Sequence, residues 1–325
     1  MLDSQGRLID YLRISLTDRC NLRCAYCMPK EGLPLISHHD ILRYEEILKI
    51  TRCISNLGIE NIKLTGGEPL VRKGVLDFSR ELLKIPGIKN ISMTSNGILI
   101  PENKDKLKNS GIDSINISLD TLNSVKYAEI TRGGELAKVL DAIEVCLDLG
   151  IAVKLNCVAI CGFNDDEICS IAHLAKDKDL QVRFIELMPM GSAEGYKYLS
   201  AEHILSAIKV RYGRLSDHKK REGHGPAVYY KPAGFVGSIG IIHAVSRCFC
   251  SSCNRVRLTS DGFLKLCLHY DTGVDLKSLV RAQTPDDELT EVMRKYIYDK
   301  PRQHSFSSEN KRNDIECKGM SQIGG

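Results

Sequence analysis

From Tyr11 to about Leu187 the chain alternates short β-branched or apolar runs with amphipathic stretches. This alternation restricts the fold more than any other feature. Extended runs begin at Tyr11 ("YLRISL"), Asn61 ("NIKLT"), Ile91 ("ISMTS"), Ser114 ("SINISL"), Ala152 ("AVKLNCV") and Gln181 ("QVRFIEL"). Between them lie "DILRYEEILKITRCISNLG", "VLDFSRELLKIPG", "ENKDKLKNSG", "ELAKVLDAIEVCLDLG" and "DEICSIAHLAKDKD". Several of these carry apolar residues at helical spacing and close in glycine, the usual helix stop. Strand–helix alternation predicts parallel strands joined by crossover helices, an α/β fold. Six such units make a partial (β/α)6 barrel of the TIM type. In such barrels the chemistry sits where strands end and loops begin.

The unusual stretches obey that rule. "DRCNLRCAYC" (Asp18 to Cys27) follows the first strand, and "TGGEP" (Thr65 to Pro69) ends the second. "TSNG" (Thr94 to Gly97), "SLD" (Ser118 to Asp120) and "ELMPMG" (Glu186 to Gly191) end the third, fourth and sixth. All five fall on one rim. After Gly191 the pattern changes. "SAEHILSAIKVRYG" reads as a helix, "AVYYK" and "GFVGSIGIIHAV" as strands, and "DDELTEVMRKYIYD" as a helix. "RVRLTSDGFLKLCL" reads as a hairpin turning at "SDG". We therefore divide the chain into a barrel (1–191), a C-terminal α+β region (192–299) and a polar tail (300–325) ending in Gly-Gly. That tail has too few apolar residues to order by itself.

Thirteen cysteines in 325 residues is a high and odd count. In a chain this long and intracellular, a disulfide framework is not expected. Cys20, Cys24 and Cys27 form one group, and Cys248, Cys250, Cys253 and Cys267 another. The scattered ones, such as Cys53 and Cys146, read as small buried hydrophobes. Iron–sulfur clusters take cysteine thiolates, four for a fully coordinated cluster. Three leave one iron open, as a catalytic metal needs. A structural zinc site would require a fourth ligand, and "MPKEGLPLIS" offers none before His38. The second group, Cys250-x2-Cys253-x13-Cys267, again offers three ligands. A zinc ribbon completed by Cys248 or His269 is the competing reading there.

Between the second group's cysteines lies "CNRVRL". In a strand, Arg255 and Arg257 share a face. Two guanidiniums beside an open iron suit a phosphorylated substrate that also touches metal. A solvated edge strand would look the same. The net charge of +4 suits a small anionic ligand and is too weak to indicate nucleic acid.

The Cys-x3-Cys-x2-Cys spacing, with Tyr26 before the third cysteine, resembles the signature of the radical S-adenosylmethionine (SAM) enzymes, and "TGGEP" resembles their glycine-rich segment. Glycines there permit close backbone approach. Over nearly its whole length the chain resembles one family within that group, the MoaA-type GTP 3′,8-cyclases of molybdenum cofactor biosynthesis. The match includes "LRISLTDRCNLRCAYCMP", "IKLTGGEPLVR", "RFIELMPMG", "FCSSCNRVRLTSDGFLKLCL" and a terminal "IGG".

The resemblance implies a radical SAM conversion of GTP to (8S)-3′,8-cyclo-7,8-dihydroguanosine 5′-triphosphate, using SAM and two [4Fe-4S] clusters. It implies that Cys20, Cys24 and Cys27 hold the SAM cluster. Cys250, Cys253 and Cys267 would hold an auxiliary cluster that meets the guanine base. Tyr26, Gly67, Ser118 and Met188 match SAM-contacting positions. Arg13, Lys63, Thr94, Lys154, Arg255, Val256 and Arg257 match GTP-contacting ones. Gly324 and Gly325 match a tail that enters the active site. Lys63 stands where members of the family often have arginine, which keeps the charge and loses the fork.

The resemblance also implies a cytoplasmic homodimer, a flavodoxin or ferredoxin as electron donor, and product hand-off to a cyclic pyranopterin monophosphate synthase. The polar start "MLDSQGRLID" carries no signal core. No apolar run approaches the ~20 residues of a membrane span. Neither a membrane nor a nucleic-acid partner is expected. Two other classes compete. A peptide-modifying radical SAM maturase would carry more auxiliary cysteines. A zinc module for nucleic acid would bind with a steep salt dependence.

Overall fold

Six parallel strands lie side by side in chain order: β1 (Tyr11–Ser15), β2 (Asn61–Thr65), β3 (Asn90–Ser95), β4 (Ser114–Ser118), β5 (Ala152–Ala159) and β6 (Leu180–Glu186). The helices between them are α1 (Tyr44–Ser55), α2 (Val75–Leu83), α3 (Lys104–Lys108), α4 (Ser124–Thr131) and α5 (Leu136–Asp148); α6 (Ile168–His173) leads into β6. This is the strand-by-strand succession of a (β/α)6 barrel. The computed structural model describes residues 1–217, 223–247, 249–304, 316 and 318–324.

The later chain adds to the same sheet. It contributes α7 (Ala201–Tyr212), β7 (Leu215–Asp217), β8 (Val228–Pro232), β9 (Ser238–Ile242), β10 (Arg255–Leu258), β11 (Phe263–Lys265) and β12 (Gly273–Asp275). Then come α8 (Leu276–Arg281), α9 (Asp286–Tyr298) and α10 (Met320–Ile323). β10 pairs parallel to β1, and β9 pairs parallel to β6. Eight strands thus run parallel, in the order β10-β1-β2-β3-β4-β5-β6-β9, flanked by antiparallel β11-β12 and β8-β7. The hairpin at "SDG" forms as its turn residues dictate, with Gly262 at φ +87°. Sequence reading passed over α4, α8, β7 and β12. Each is short, and none carries a long apolar stripe.

Strand parity explains what faces the cavity. In β1, Leu12 and Ile14 enter the hydrophobic core, whereas Tyr11 and Arg13 line the central cavity. In β2, Ile62 and Leu64 are core residues, and Asn61 and Lys63 alternate with them. Burying each such aliphatic side chain contributes about 1.5–3 kcal/mol. In α1, Ile47, Ile50 and Ile54 recur at helical spacing and pack into the same core. The Glu46 carboxylate accepts the Arg43 N–H at 2.7 Å and so caps that helix. Among the described residues, no helix is long and apolar enough to cross a membrane.

Candidate active site

One cavity of about 430 Å³ opens inside the sheet and collects most of the residues singled out above. Arg13, Tyr26, Cys27, Lys63, Thr94, Ser118, Lys154, Met188, Cys250, Cys253, Arg255, Arg257 and Cys267 all line it. Cys20, Cys24, Gly67 and Gly324 are not among its lining residues. Val256 is fully buried, with its side chain in the hydrophobic core between the two arginines. It is not among the residues that line the cavity. Gly325 and Cys248 lie outside the described residues.

The cysteine loop after β1 is held by two rim segments. Gly67 N–H donates to the Thr17 carbonyl at 2.7 Å, and Glu68 N–H to that of Arg19 at 2.8 Å. A Cβ on Gly67 would sit 2.3 Å from the Arg19 carbonyl oxygen. Gly66 adopts φ +149°, and its Cβ would meet the Thr17 oxygen at 2.5 Å. The close approach that the two glycines permit is to the cysteine loop itself. The buried Glu68 carboxylate accepts from Leu70 N–H, Ser95 Oγ and Asn96 N–H. Burial pushes it up to about 7 against those bonds. Asn96 then donates to Asn21 Oδ1 at 2.7 Å and to Cys20 Sγ at 3.8 Å. "TGGEP", "TSNG" and the cysteine loop therefore form one hydrogen-bonded unit.

Tyr26 is fixed from another side. Its hydroxyl donates to Asp120 Oδ2 at 2.6 Å, and Val158 N–H donates to Asp120 Oδ1 at 2.8 Å. The three thiols resist ionisation in the metal-free protein. Burial raises all three, Cys27 to about 12; Asp120 and the neighbouring thiols add to the effect at Cys24 and Cys27, and Glu68 adds to it at Cys20. A cationic cluster supplies the charge this loop lacks, because metal coordination deprotonates a thiol outright. Cys253 behaves oppositely. Burial opposes its ionisation, yet the charges of Arg255 and Lys300 bring it down to about 6. Arg255 also lies 4.8 Å above the Phe249 ring. Among the described residues, no three His, Cys, Asp or Glu side chains converge tightly enough for a single metal ion. A four-iron cube sets its thiolates wider apart. The donor chemistry and the glycine cradle fit such a cluster at the first loop.

The cations come from register. Arg257, Arg13 and Lys63 occupy paired positions across β10, β1 and β2. Thr94, Asn116 and Lys154 do the same across β3, β4 and β5. Lys63 is buried, and its ammonium is held well below its usual range, first by burial and then by Arg183, Arg13, Lys154 and Arg255. The same two effects bring Arg13 down to about 10 and hold Arg257 well below its usual range. So many buried cations favour an anionic occupant. Thr94 Oγ1 and Asn116 Oδ1 are buried, with no hydrogen-bond partner among the described residues. Both suit a polar ligand.

Sequence reading missed several lining residues. Arg183 is the most telling. Its guanidinium donates twice to Asn156 Oδ1, at 2.9 and 2.6 Å. Gly240 leaves it room, since a Cβ there would lie 2.9 Å from Arg183 Cγ. The signal was a charged residue in the middle of the apolar run "VRFIE". Asp120 lay in "SLD", which marked the rim without giving the residue a role, and Asn116 and His224 carried no comparable signal.

Residues 14–175 match the radical SAM superfamily, and residues 180–306 match Molybdenum Cofactor Synthesis C. A protein of Clostridium perfringens called GTP 3′,8-cyclase is 45% identical over 325 residues, all of both chains. One of Moorella thermoacetica with that name is 46% identical over 328 residues, again covering both fully. Among solved structures, Streptococcus suis SuiB bound to S-adenosylmethionine superposes with a TM-score of 0.62 at 15% identity. That likeness spans 97% of this chain and 72% of SuiB, and shows the shared fold. With relatives this similar end to end, the chain belongs to the GTP 3′,8-cyclase family of radical SAM proteins.

Proposed function

We propose that this chain is a radical SAM GTP 3′,8-cyclase. It converts GTP to (8S)-3′,8-cyclo-7,8-dihydroguanosine 5′-triphosphate, the first step of molybdenum cofactor biosynthesis. One observation carries the reading: cysteines of both three-cysteine groups and an in-register row of buried cations line a single cavity.

Cys20, Cys24 and Cys27 hold the SAM-binding [4Fe-4S] cluster. Tyr26, Gly67, Ser118 and Met188 contact SAM. When bound, these groups supply the one-electron chemistry that removes a hydrogen from the ribose. Arg13, Lys63, Lys154, Arg255 and Arg257 bind the triphosphate, supported by Thr94 and the Val256 backbone. Holding the nucleotide rigidly fixes which C–H bond faces the SAM side of the cavity, and enclosure limits side reactions. Cys250, Cys253 and Cys267 would hold a second cluster, which would supply a metal contact for the guanine base. Gly324 and Gly325 form a tail that completes the site. The region 192–299 serves as the substrate half of the enzyme. We place the enzyme in the cytoplasm as a homodimer, reduced by a flavodoxin or ferredoxin, with its product passing to a cyclic pyranopterin monophosphate synthase. Family membership supports that placement.

The test is an anaerobic turnover assay on reconstituted protein with SAM, strong reductant and GTP, each omitted in turn. The expected result is 5′-deoxyadenosine formation that depends on GTP, with a new isomer of GTP by mass spectrometry. Deoxyadenosine without any change in GTP would overturn the substrate assignment. No deoxyadenosine from protein with confirmed reduced clusters would overturn the activity.

A further inference from the structure

Near the N-terminus the backbone turns tightly between Asp3 and Arg7, with Gly6 at φ +74°. The Asp3 carboxylate accepts Arg7 N–H at 2.9 Å, Gln5 N–H at 3.0 Å and Arg7 Nε at 2.6 Å. Both charged side chains are buried, at 0% and 5% exposure. The guanidinium is thus neutralised and oriented by its own turn. Its remaining donors go elsewhere. Nη1 donates to the carbonyls of Cys250 and Arg302, at 3.0 and 3.1 Å. Nη2 donates to those of Lys300 and Pro301, both at 3.0 Å.

Arginine has five N–H donors in a fixed fork, and every nitrogen of that fork is engaged here. The four carbonyls come from two segments far apart in sequence. One contains Cys250. The other contains Lys300, whose ammonium donates to the Leu266 carbonyl, next to Cys267. A continuous path therefore runs from Cys250 through Arg7 and Lys300 to Cys267. A plain ion pair between Asp3 and Arg7 would need none of those carbonyls.

We propose that Arg7 is a positioning residue for the second half of the site: it sets the spacing of Cys250 relative to Cys267. The proposal rests on the reading of these cysteines as ligands of a second cluster. Lysine cannot replace Arg7, because an ammonium has three donors and no planar fork.

The test uses the full chain carrying Cys20→Ala, Cys24→Ala and Cys27→Ala, so that iron reports the second cluster alone. Reconstituted with iron and sulfide, this protein should hold about four irons. Adding Arg7→Lys should lower that content at least about twofold and broaden the electron paramagnetic resonance signal. In the chain with all cysteines intact, Arg7→Lys should keep first-cluster iron and SAM affinity, while GTP conversion falls about tenfold or more. Amide exchange at residues 249–254 should quicken in the metal-free variant, which reads the clamp without any cluster. Full second-cluster iron with an unchanged spectrum in Arg7→Lys, accompanied only by a lower melting temperature, would overturn the proposal and leave Arg7 a structural anchor. If the chain lacking the first three cysteines holds no iron with Arg7 intact, the second-cluster reading itself falls, and the proposal with it.

Discussion

The Nη1 group of Arg257 donates a 2.6 Å hydrogen bond to the carbonyl oxygen of Gly324. The tail thereby reaches the row of cations that Arg257 shares with Arg13 and Lys63. Gly324 sits at φ +77°, and a Cβ there would meet Ser15 Cβ at 2.9 Å and Thr65 Cγ2 at 3.0 Å. Left-handed backbone costs a residue with a Cβ about 1–2 kcal/mol. Gly324→Ala is expected to displace the tail and lower turnover about tenfold, the equivalent of ~1.4 kcal/mol. The global melting temperature should hardly change. Turnover equal to wild type would show that the tail contact is dispensable.

Gly67→Ala tests the glycine cradle. Its Cβ would overlap the Arg19 carbonyl beside Cys20, a backbone atom that cannot swing aside. We expect SAM affinity to fall about tenfold or more as the loop is pushed out, with an overpacking cost of roughly 1–3 kcal/mol. Gly195→Ala is the control, since a Cβ there meets nothing within 4 Å. Anaerobic calorimetry with SAM separates the two; equal affinities would remove Gly67 from the argument.

Lys63→Met should trade binding for stability. Lys63 is buried beside Arg13 and Arg183, and both that burial and that repulsion disfavour its charge. Removing it is expected to stabilise the nucleotide-free protein by on the order of 1 kcal/mol and so raise its melting temperature. GTP binding should weaken at least about tenfold, in line with the ~1.5–3 kcal/mol of a hydrogen bond to a charged group. Thermal shifts with and without GTP decide it. A lower melting temperature with unchanged GTP affinity would contradict both halves.

Glu186 ties the end of β6 to two later segments. Its carboxylate accepts from Val245 N–H, Ser246 N–H, Ser246 Oγ and the Ala201 N–H that begins α7. Burial opposes its ionisation, but these donors hold it below its ordinary 4.5. The folded protein therefore binds fewer protons at this site than the unfolded chain. Its stabilisation is present above the unfolded value and is lost as pH falls through the folded one. Glu186→Gln presents an amide N–H to a backbone donor and should cost roughly 1–3 kcal/mol at neutral pH. Urea midpoints of wild type and variant should converge as the solution is acidified below about 4.5. A gap that stays constant with pH would mean that the charge is irrelevant.

The sequence by itself determined the strand–helix succession, the cysteine spacing and the parity that turns Arg255 and Arg257 to one face, while Arg13, Lys63, Thr94 and Lys154 were singled out by the family resemblance. The succession and the parity follow from periods of two and 3.6 residues, which act over a few neighbours and can be read locally. Tertiary structure alone decided which strands became neighbours. β10 lies beside β1, so Arg257 meets Arg13 across 244 positions in paired register. Arg183 found Asn156, Glu186 found Val245 and Ser246, and Arg7 found Cys250, none by any local rule. Such contacts depend on sheet order and on buried polar groups needing partners wherever the fold brings them. Local periodicity carries no information about either, because the chain must close long loops before those partners exist.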